Sequence, residues 1–173
     1  MKLIELPDDL QKLSINLEPY FLELTNASKK IKDKLQEYAD EKLLKGDEIV
    51  GWLGEIYGKM LLNGKLVSDT HDYDIAVRDK RISVKARKGT KSGWNISSII
   101  PRVEGDSCPT DLMFIQFKDN YALFRVWLFP WKKLRENNRF IEKKVRGEHK
   151  GYEIRINVKK DEEFLIYRWE SSE

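Results

Sequence analysis

The chain has 173 residues, of which 40% are hydrophobic and 35% charged, and its formal net charge is +3. This length suits one compact domain with a single core. A single cysteine, Cys108, excludes an internal disulfide, and two histidines are too few for the histidine-rich metal hydrolases. Apolar runs stay shorter than the roughly 18–20 residues of a membrane span, and the N-terminus does not resemble a signal peptide. We therefore expect a cytoplasmic protein that does not contact a membrane.

Charge is unevenly distributed along the chain. Residues 1–77 contain 10 basic and 15 acidic residues, a net of −5, whereas residues 78–173 contain 22 basic and 14 acidic residues, a net of +8. The positive charge is concentrated between Arg78 and Arg102 and between Lys132 and Lys150. Such stripes are typical of phosphate-binding surfaces. A solvated, lysine-rich face would give the same pattern.

Helical signals occupy the first third of the chain. Pro7 and Pro19 interrupt the apolar pattern of residues 1–25, which favours short helical turns or an N-terminal arm over one long helix. Capping residues and apolar periodicity then predict two helices, over residues 26–45 and 47–62.

Strand-like runs follow from residue 65 onward, and a short helix begins at Pro130. The predicted strands are Lys65–Val67, Tyr73–Val77, Ile82–Arg87, Leu112–Phe117, Tyr121–Phe129, Ile154–Val158 and Phe164–Trp169. Helices followed by a sheet with a late helix predict an α/β or α+β fold. No linker or repeat divides the chain, so residues 1–173 are expected to form a single domain.

The segment 71–88 is the best candidate for chemistry. We interpret it as a hairpin that turns at residues 78–81. The register that keeps its apolar residues on one face pairs Val77 with Ile82, Ile75 with Val84, and Asp74 with Lys85. An acid beside an ammonium group suits metal-assisted phosphodiester cleavage, in which a carboxylate holds Mg²⁺ and a lysine stabilises developing charge. An ordinary cross-strand salt bridge is the alternative.

Glycines mark one face of the helix predicted over residues 47–62. Gly51, Gly54, Glu55 and Gly58 follow the spacing i, i+3, i+4, i+7 and so share that face. Each interior glycine lowers the stability of the helix by up to about 1 kcal/mol relative to alanine, so three glycines on one face suggest a reason in packing. The reason we favour is that this face packs closely against a sheet and places Glu55 at the contact. A buried carboxylate needs a metal or a lysine as its partner. A solvated Glu55 on a flexible glycine stripe is the alternative.

The order of these features resembles the PD-(D/E)xK superfamily of restriction-endonuclease-like nucleases. The resemblance covers Asp47 to about Leu134 and implies a restriction-endonuclease-like core, with a mixed central β-sheet flanked by helices. It implies that Asp74 and Glu55 bind Mg²⁺, for which Mn²⁺ is a possible substitute, and that Lys85 is the catalytic lysine. The backbone of Val84, between the last two motif positions, is expected to contribute a further oxygen ligand.

Two positions depart from the pattern of that superfamily. Tyr73 stands where a proline usually precedes the aspartate, and Ser83 takes the place of the second acid. Either Glu55 supplies the missing charge or the site is inactive. Secondary candidates for this site are Ser83, Asp72, His71 and Gln116.

The basic loop after the Lys85 strand suits double-stranded DNA as a partner. The residues expected to contact DNA are Arg87, Lys88, Thr90, Lys91, Asn95 and Arg102. The leading hypothesis is a Mg²⁺-dependent DNA endonuclease, a type II restriction enzyme that cuts as a homodimer. The alternatives are a catalytically degenerate DNA-binding module of the same fold and a structure-specific repair or recombination nuclease.

Overall fold

The structure is a computed structural model that describes residues 8–45, 48–89, 96–145 and 148–168. Its elements in chain order are α1 (Asp8–Gln36), α2 (Ile49–Leu62), β1 (Lys65–Leu66), β2 (Ile75–Val77), β3 (Lys80–Lys88), β4 (Ser97–Ile100), β5 (Asp111–Phe117), β6 (Leu123–Pro130), α3 (Trp131–Glu136), β7 (Ile141–Val145), β8 (Glu148–Arg155), a 3-10 helix (Glu162–Phe164) and β9 (Leu165–Arg168). Within these ranges, none of the helices combines the length and the apolar character needed to cross a bilayer.

The first helix differs from the sequence-based expectation. From residue 8, the predicted arm and the N-terminal part of the helix expected over 26–45 form one continuous helix, α1, which contains Pro19. Proline disfavours a helix interior, but the apolar period continues across it from Leu17 to Phe21 and Leu24, so one helix satisfies the pattern on both sides. The expected cap of the next helix, Asp47, lies outside the described residues.

Six strands form a mixed sheet in the order β1-β2-β3-β5-β6-β9. Strands β3 and β5 are parallel, and the other neighbours are antiparallel. The expected mixed α and β fold with a mixed sheet is therefore confirmed.

A second sheet, in the order β4-β8-β7, covers one face of the first. The helix α2 packs on the opposite face, and α3 joins the second sheet in its core. The central sheet therefore has α2 on one face and the second sheet with α3 on the other, whereas the resemblance implied a sheet flanked by helices. Strands β4 and β7 were not predicted, and β8 lies earlier than the predicted Ile154–Val158. The polar sequence Ile-Glu-Lys-Lys-Val of β7 offers no buried alternation from which a strand could be read.

The register of the β2–β3 hairpin differs by two residues from the prediction. Ile75 pairs with Ile82, and Val77 pairs with Lys80, so that only Arg78 and Asp79 form the turn. Arg78 adopts a left-handed φ of 53°, which a tight two-residue turn of this kind requires. A shift of two residues keeps the apolar side chains of β2 and β3 on one face, as predicted. It does, however, move the pairing partner of Asp74 away from Lys85.

The glycine face of α2 lies against the sheet, as predicted. A Cβ atom on Gly54 would lie 2.5 Å from the Cβ of Ala86, and one on Gly58 would lie 2.9 Å from Sδ of Met113. Gly51 is different, because a Cβ there would meet only its helix neighbour Glu48, at 3.6 Å and beyond. Two of the three glycines therefore bring α2 into direct contact with β3 and β5.

Alanine substitutions should separate these glycines. Gly54→Ala should lower the free energy of unfolding by about 1–3 kcal/mol, because the short side chain of Ala86 cannot move aside. Gly51→Ala, the matched control, should leave stability unchanged or raise it by up to about 1 kcal/mol through helix propensity. Urea denaturation of both variants measures the difference. Equal effects at the two positions would contradict the close contact.

Candidate functional site

Asp74 lies immediately before β2, between β1 and β3. Its N–H donates to the carbonyl of Ile82 at 2.9 Å, and its carbonyl accepts from the N–H of Val67 at 3.0 Å. Its carboxylate Oδ2 accepts the N–H of Val84 at 2.7 Å and the hydroxyl of Ser83 at 3.4 Å. The side chain of Asp74 thus takes the place that a strand carbonyl would have opposite Val84, close to the plane of the sheet.

Lys42 brings the acidic side chains together. Its Nζ lies 2.8 Å from Oε2 of Glu55, 3.3 Å from Oδ1 of Asp69 and 3.9 Å from Oδ1 of Asp74. The Lys42 side chain is only 8% exposed, whereas Asp69 is half-exposed and also pairs with Lys45 at 3.2 Å. Glu55 on the helix and Asp74 on the sheet therefore share one buried cation. We call Lys42, Glu55, Asp69 and Asp74 the Lys42 cluster.

The turn after α1 fixes the position of Lys42. The side-chain amide of Gln36 donates to the carbonyl of Lys42 at 2.7 Å, and its oxygen accepts the N–H of Leu44 at 3.0 Å. The N–H of Lys42 donates to the carbonyl of Ala39, which is completely buried. The predicted helix to residue 45 ends early because this side-chain bonding closes a compact turn instead.

The environment of the Lys42 cluster changes the proton affinity of its members. Burial raises the pKa of Glu55 above its ordinary value, and the negative charges of Asp74 and Asp69 add to this against the opposing effect of Lys42. Burial alone would lower the pKa of Lys42, but its carboxylate partners outweigh burial and raise it. The ion pair with Lys45, followed by that with Lys42, lowers the pKa of the more exposed Asp69.

The predicted catalytic lysine, Lys85, lies on the face of β3 that points away from α2. Val84 and Ala86 contact the glycines of α2, so by alternation Ser83 and Lys85 project from the other face of the strand. Ser83 is buried and reaches Asp74, whereas Lys85 is half-buried and forms no ion pair with any residue in the described ranges.

The structure thus joins Glu55 and Asp74 through Lys42 but leaves Lys85 further along β3. The predicted direct pairing of Asp74 with Lys85 is wrong, because the two-residue turn shifts the register and sets Asp74 beside Ser83. In an extended strand the N–H and the carbonyl of one residue point the same way. The carbonyl of Val84 is therefore directed to the side on which Asp74 lies.

His71 and Asp72 bond locally and do not join the Lys42 cluster. Nδ1 of His71 lies within hydrogen-bond distance of the hydroxyls of Ser68 and Thr70, in the turn before β2. Asp72 accepts hydrogen bonds from Arg102, at 3.2 Å, and from the hydroxyl of Ser107. These contacts tie the turn 68–72 to the loop after β4.

Gln116 lies on β5, on the same face of the sheet as Lys85. It is completely buried, and neither atom of its amide has a hydrogen-bond partner among the described residues. Its neighbours across the sheet are Arg87 on β3 and Arg125 on β6. The three side chains form a polar row across that face of the sheet, separate from the Lys42 cluster.

The candidate DNA contacts fall into three groups. Arg87 is engaged within the protein, because its guanidinium donates to the carbonyl of Ser97 at 3.0 Å, the hydroxyl of Ser98 at 2.9 Å and the carbonyl of Ala86. Lys88 lies 4.2 Å from the ring centroid of Tyr121, and Arg102 is exposed beside Asp72. The remaining candidates, Thr90, Lys91 and Asn95, lie outside the described residues.

Two members of the cluster, Lys42 and Asp69, were missed by the sequence analysis. Both belong to connecting segments without periodicity, and their meeting depends on tertiary folding over 27 residues of chain. Within the part of the chain that the structure describes, no group of three or more His, Cys, Asp or Glu side chains is arranged as a metal site. The carboxylates of the cluster surround an ammonium group instead.

Neither the protein-family models nor the curated proteins that were searched contain a match to this sequence.

The raised pKa of Glu55 should make stability depend on pH. A carboxyl group whose pKa is higher in the folded state takes up a proton on folding, so its contribution is lost as pH rises from about 4.5 through the folded value. The difference in unfolding free energy between wild type and Glu55→Gln should therefore fall as pH rises through this window. Urea denaturation at several pH values measures it.

Glu153 supplies a control of opposite sign. Its ion pair with Lys143 lowers its pKa, so the difference between wild type and Glu153→Gln should instead grow as pH rises towards about 4.5. If the difference in unfolding free energy between wild type and Glu55→Gln also grew with pH, folding would favour the ionised carboxylate of Glu55. That result would contradict the raised pKa.

Proposed function

We propose that this chain is a Mg²⁺-dependent DNA endonuclease with a PD-(D/E)xK type of site, acting as a type II restriction enzyme. The observation that carries the proposal is the convergence of Glu55 and Asp74 on one buried cationic position, where α2 meets the start of β2. Two carboxylates from separate elements that share a single cation are what a divalent metal site requires.

The order of the elements supports the same proposal. Glu55 comes first, on a helix packed against the sheet, followed by Asp74 before β2 and Lys85 on β3. This is the order that the superfamily motif requires. Because Ser83 carries no charge, Glu55 has to supply the second negative charge.

The donor set fits a hard cation. Glu55 and Asp74 offer carboxylate oxygens, the carbonyl of Val84 points to the same side, and such oxygen ligands suit Mg²⁺ or Mn²⁺. When bound, the metal would polarise the scissile phosphate and activate a water molecule. Lys85, two residues beyond Ser83 on β3, would stabilise charge on the phosphate. Ser83 would keep Asp74 oriented through its hydroxyl.

A second candidate function is DNA binding without cleavage by the same fold. The observation in its favour is Lys42, whose ammonium already compensates the charges that a metal would neutralise. Because Lys42 is present and Ser83 stands in place of an acid, the cluster is less negative than a metal site that lacks such a lysine and keeps the acid.

Cleavage of plasmid DNA with Mg²⁺, with and without EDTA, tests the first candidate. Asp74→Asn and Glu55→Gln should each reduce the cleavage rate by about 100-fold or more, because each removes a metal-binding charge. Ser83→Ala should cost less than about 10-fold, since it removes one weak hydrogen bond. Lys85→Ala should lose turnover but keep metal affinity, the pattern of an interaction made mainly in the transition state.

Gel-shift measurements on the same variants provide the control. Duplex binding should persist in all four variants and should weaken steeply with salt, because it depends on phosphate contacts. Wild type that binds duplex but cuts no DNA with Mg²⁺ or Mn²⁺ would favour the binding module. Cleavage that survives Glu55→Gln but not Ser83→Ala would contradict the role assigned to Glu55.

Metal binding can also be measured without any activity. Lys42→Met removes the internal cation and should destabilise the protein by roughly 3 kcal/mol at neutral pH, because two largely buried carboxylates lose their partner. Added Mg²⁺ should restore stability to this variant more than it stabilises wild type. Lys34→Met, which breaks the exposed pair with Glu37, should leave stability nearly unchanged and should not respond to Mg²⁺. An equal Mg²⁺ response in Lys42→Met and Lys34→Met would contradict the metal site.

A further inference from the structure

A group of buried polar atoms on the central sheet has no hydrogen-bond partner in the part of the chain that the structure describes. The group consists of both amide atoms of Gln116, Nε of Arg125 and Nε1 of Trp127. Gln116 and Trp127 are completely buried. Buried polar groups are almost always paired in folded proteins, because an unpaired one is unfavourable. Several unpaired atoms in one place therefore indicate a ligand.

The sheet register brings these three side chains together. Gln116 on β5 pairs with Arg125 on β6, and Phe114, two residues before Gln116, pairs with Trp127. Alternate residues of a strand share a face, so all three side chains project from the face that packs against the second sheet. Gln116 is a direct cross-strand neighbour of Arg125 and a diagonal neighbour of Trp127, so that one small ligand can contact all three.

Positive charge surrounds this group. Arg87 lies beside Gln116 on β3, and Arg168 on the edge strand β9 lies beside Arg125. Arg87 donates to neutral groups and Glu162 pairs with Arg168, so within the described ranges neither Arg87 nor Arg125 forms an ion pair. Burial, followed by the charge of Arg168, lowers the pKa of Arg125 against the smaller effect of Glu162. These charges favour an anion over a cation, and over water, which carries no compensating charge.

The hydrogen-bonding types of the four atoms define the anion more closely. The nitrogen atoms of Gln116, Arg125 and Trp127 are donors, so the ligand needs several acceptor oxygens. Oε1 of Gln116 is an acceptor, so the ligand also needs a donor of its own. Inorganic phosphate keeps at least one O–H group at neutral pH and meets both needs. Sulfate and the phosphodiesters of nucleic acid have no proton to donate.

We propose that Gln116, Arg125 and Trp127 form a binding site for inorganic phosphate on the face of the central sheet that packs against the second sheet. The three donors bind phosphate oxygens, and Oε1 of Gln116 accepts a hydrogen bond from the O–H group of the ligand. Arg125 is partly buried and the side chain of Arg168 is 40% exposed, so the row of polar residues reaches solvent at the β9 edge. The backbone of duplex DNA cannot reach the completely buried Gln116.

The proposal goes beyond the nuclease function and does not depend on it, because none of its three residues belongs to the Lys42 cluster. Calorimetric titration of the full chain at neutral pH, without DNA or a divalent metal, tests it. Inorganic phosphate should bind at least about 10-fold more tightly than sulfate at the same ionic strength, because sulfate leaves Oε1 of Gln116 unpaired. Equal binding of the two anions, or no binding of phosphate at millimolar concentration, would overturn the proposal.

Substitutions locate the site. Gln116→Met removes the amide at similar volume and Arg125→Met removes the cation, so each should weaken phosphate binding at least about 10-fold. Arg135→Met is the matched control, because Arg135 is half-exposed on α3 and pairs with Glu104, and this variant should bind phosphate as wild type does. Circular dichroism checks that the variants are folded. Binding by Gln116→Met as tight as that by wild type would overturn the assignment.

Thermal melting separates a ligand site from a structural role of Gln116. Without phosphate, Gln116→Met should melt at or above the wild-type temperature, because it removes an unpaired amide from the interior. Phosphate should raise the melting temperature of wild type more than that of Gln116→Met. Sulfate, which also stabilises proteins by exclusion from their surfaces, should affect the two proteins equally. A Gln116→Met variant that melts well below wild type without phosphate would show that the amide is paired within the fold and would overturn the site.

Discussion

The buried ammonium of Lys42 is the interaction on which the arrangement of this site depends. It joins three parts of the chain: the turn after α1, the helix α2 and the segment before β2. A charge that is 8% exposed is tolerated only when its partners are close, and the distances of 2.8 and 3.3 Å to Glu55 and Asp69 meet that condition. The ion pairs therefore hold α2 at the sheet edge together with the glycine contacts.

The glycine contacts explain why Glu55 is directed to the sheet edge. Gly54 and Gly58 bring the helix axis so close to Ala86 and Met113 that larger residues are excluded there. Glu55, one position beyond Gly54, is turned away from the tightest contact and reaches Lys42 instead. Helix packing and electrostatics thus place the same carboxylate, which is why its sequence spacing was informative.

Features that depend on local periodicity were predictable from the sequence, and features that depend on tertiary pairing were not. The α2 helix, its glycine face and the apolar face of the β2–β3 hairpin follow from spacings of 3.6 and 2 residues. The hairpin register was missed because a shift by two residues leaves that periodicity unchanged, and only the left-handed Arg78 reveals the tight turn. The continuous helix through Pro19 was missed because the local cost of proline was weighed above the longer apolar period.

The balance of charge within the cluster is what separates a metal-dependent enzyme from a binding module. Three negative charges are present when the carboxylates of Glu55, Asp69 and Asp74 are all ionised. Two positive charges compensate them, one from Lys42 and one from Lys45, which pairs with Asp69. A net of one negative charge attracts a divalent cation only weakly, unless the ammonium of Lys42 gives up its place between Glu55 and Asp74. Burial already raises the pKa of Glu55, so its ionised form is stabilised largely by that ammonium. A divalent ion that replaced the ammonium would have to stabilise the ionised carboxylate at least as strongly. The affinity of this site for metal is therefore governed by how readily Lys42 can leave the carboxylates, a property of the turn that Gln36 holds closed.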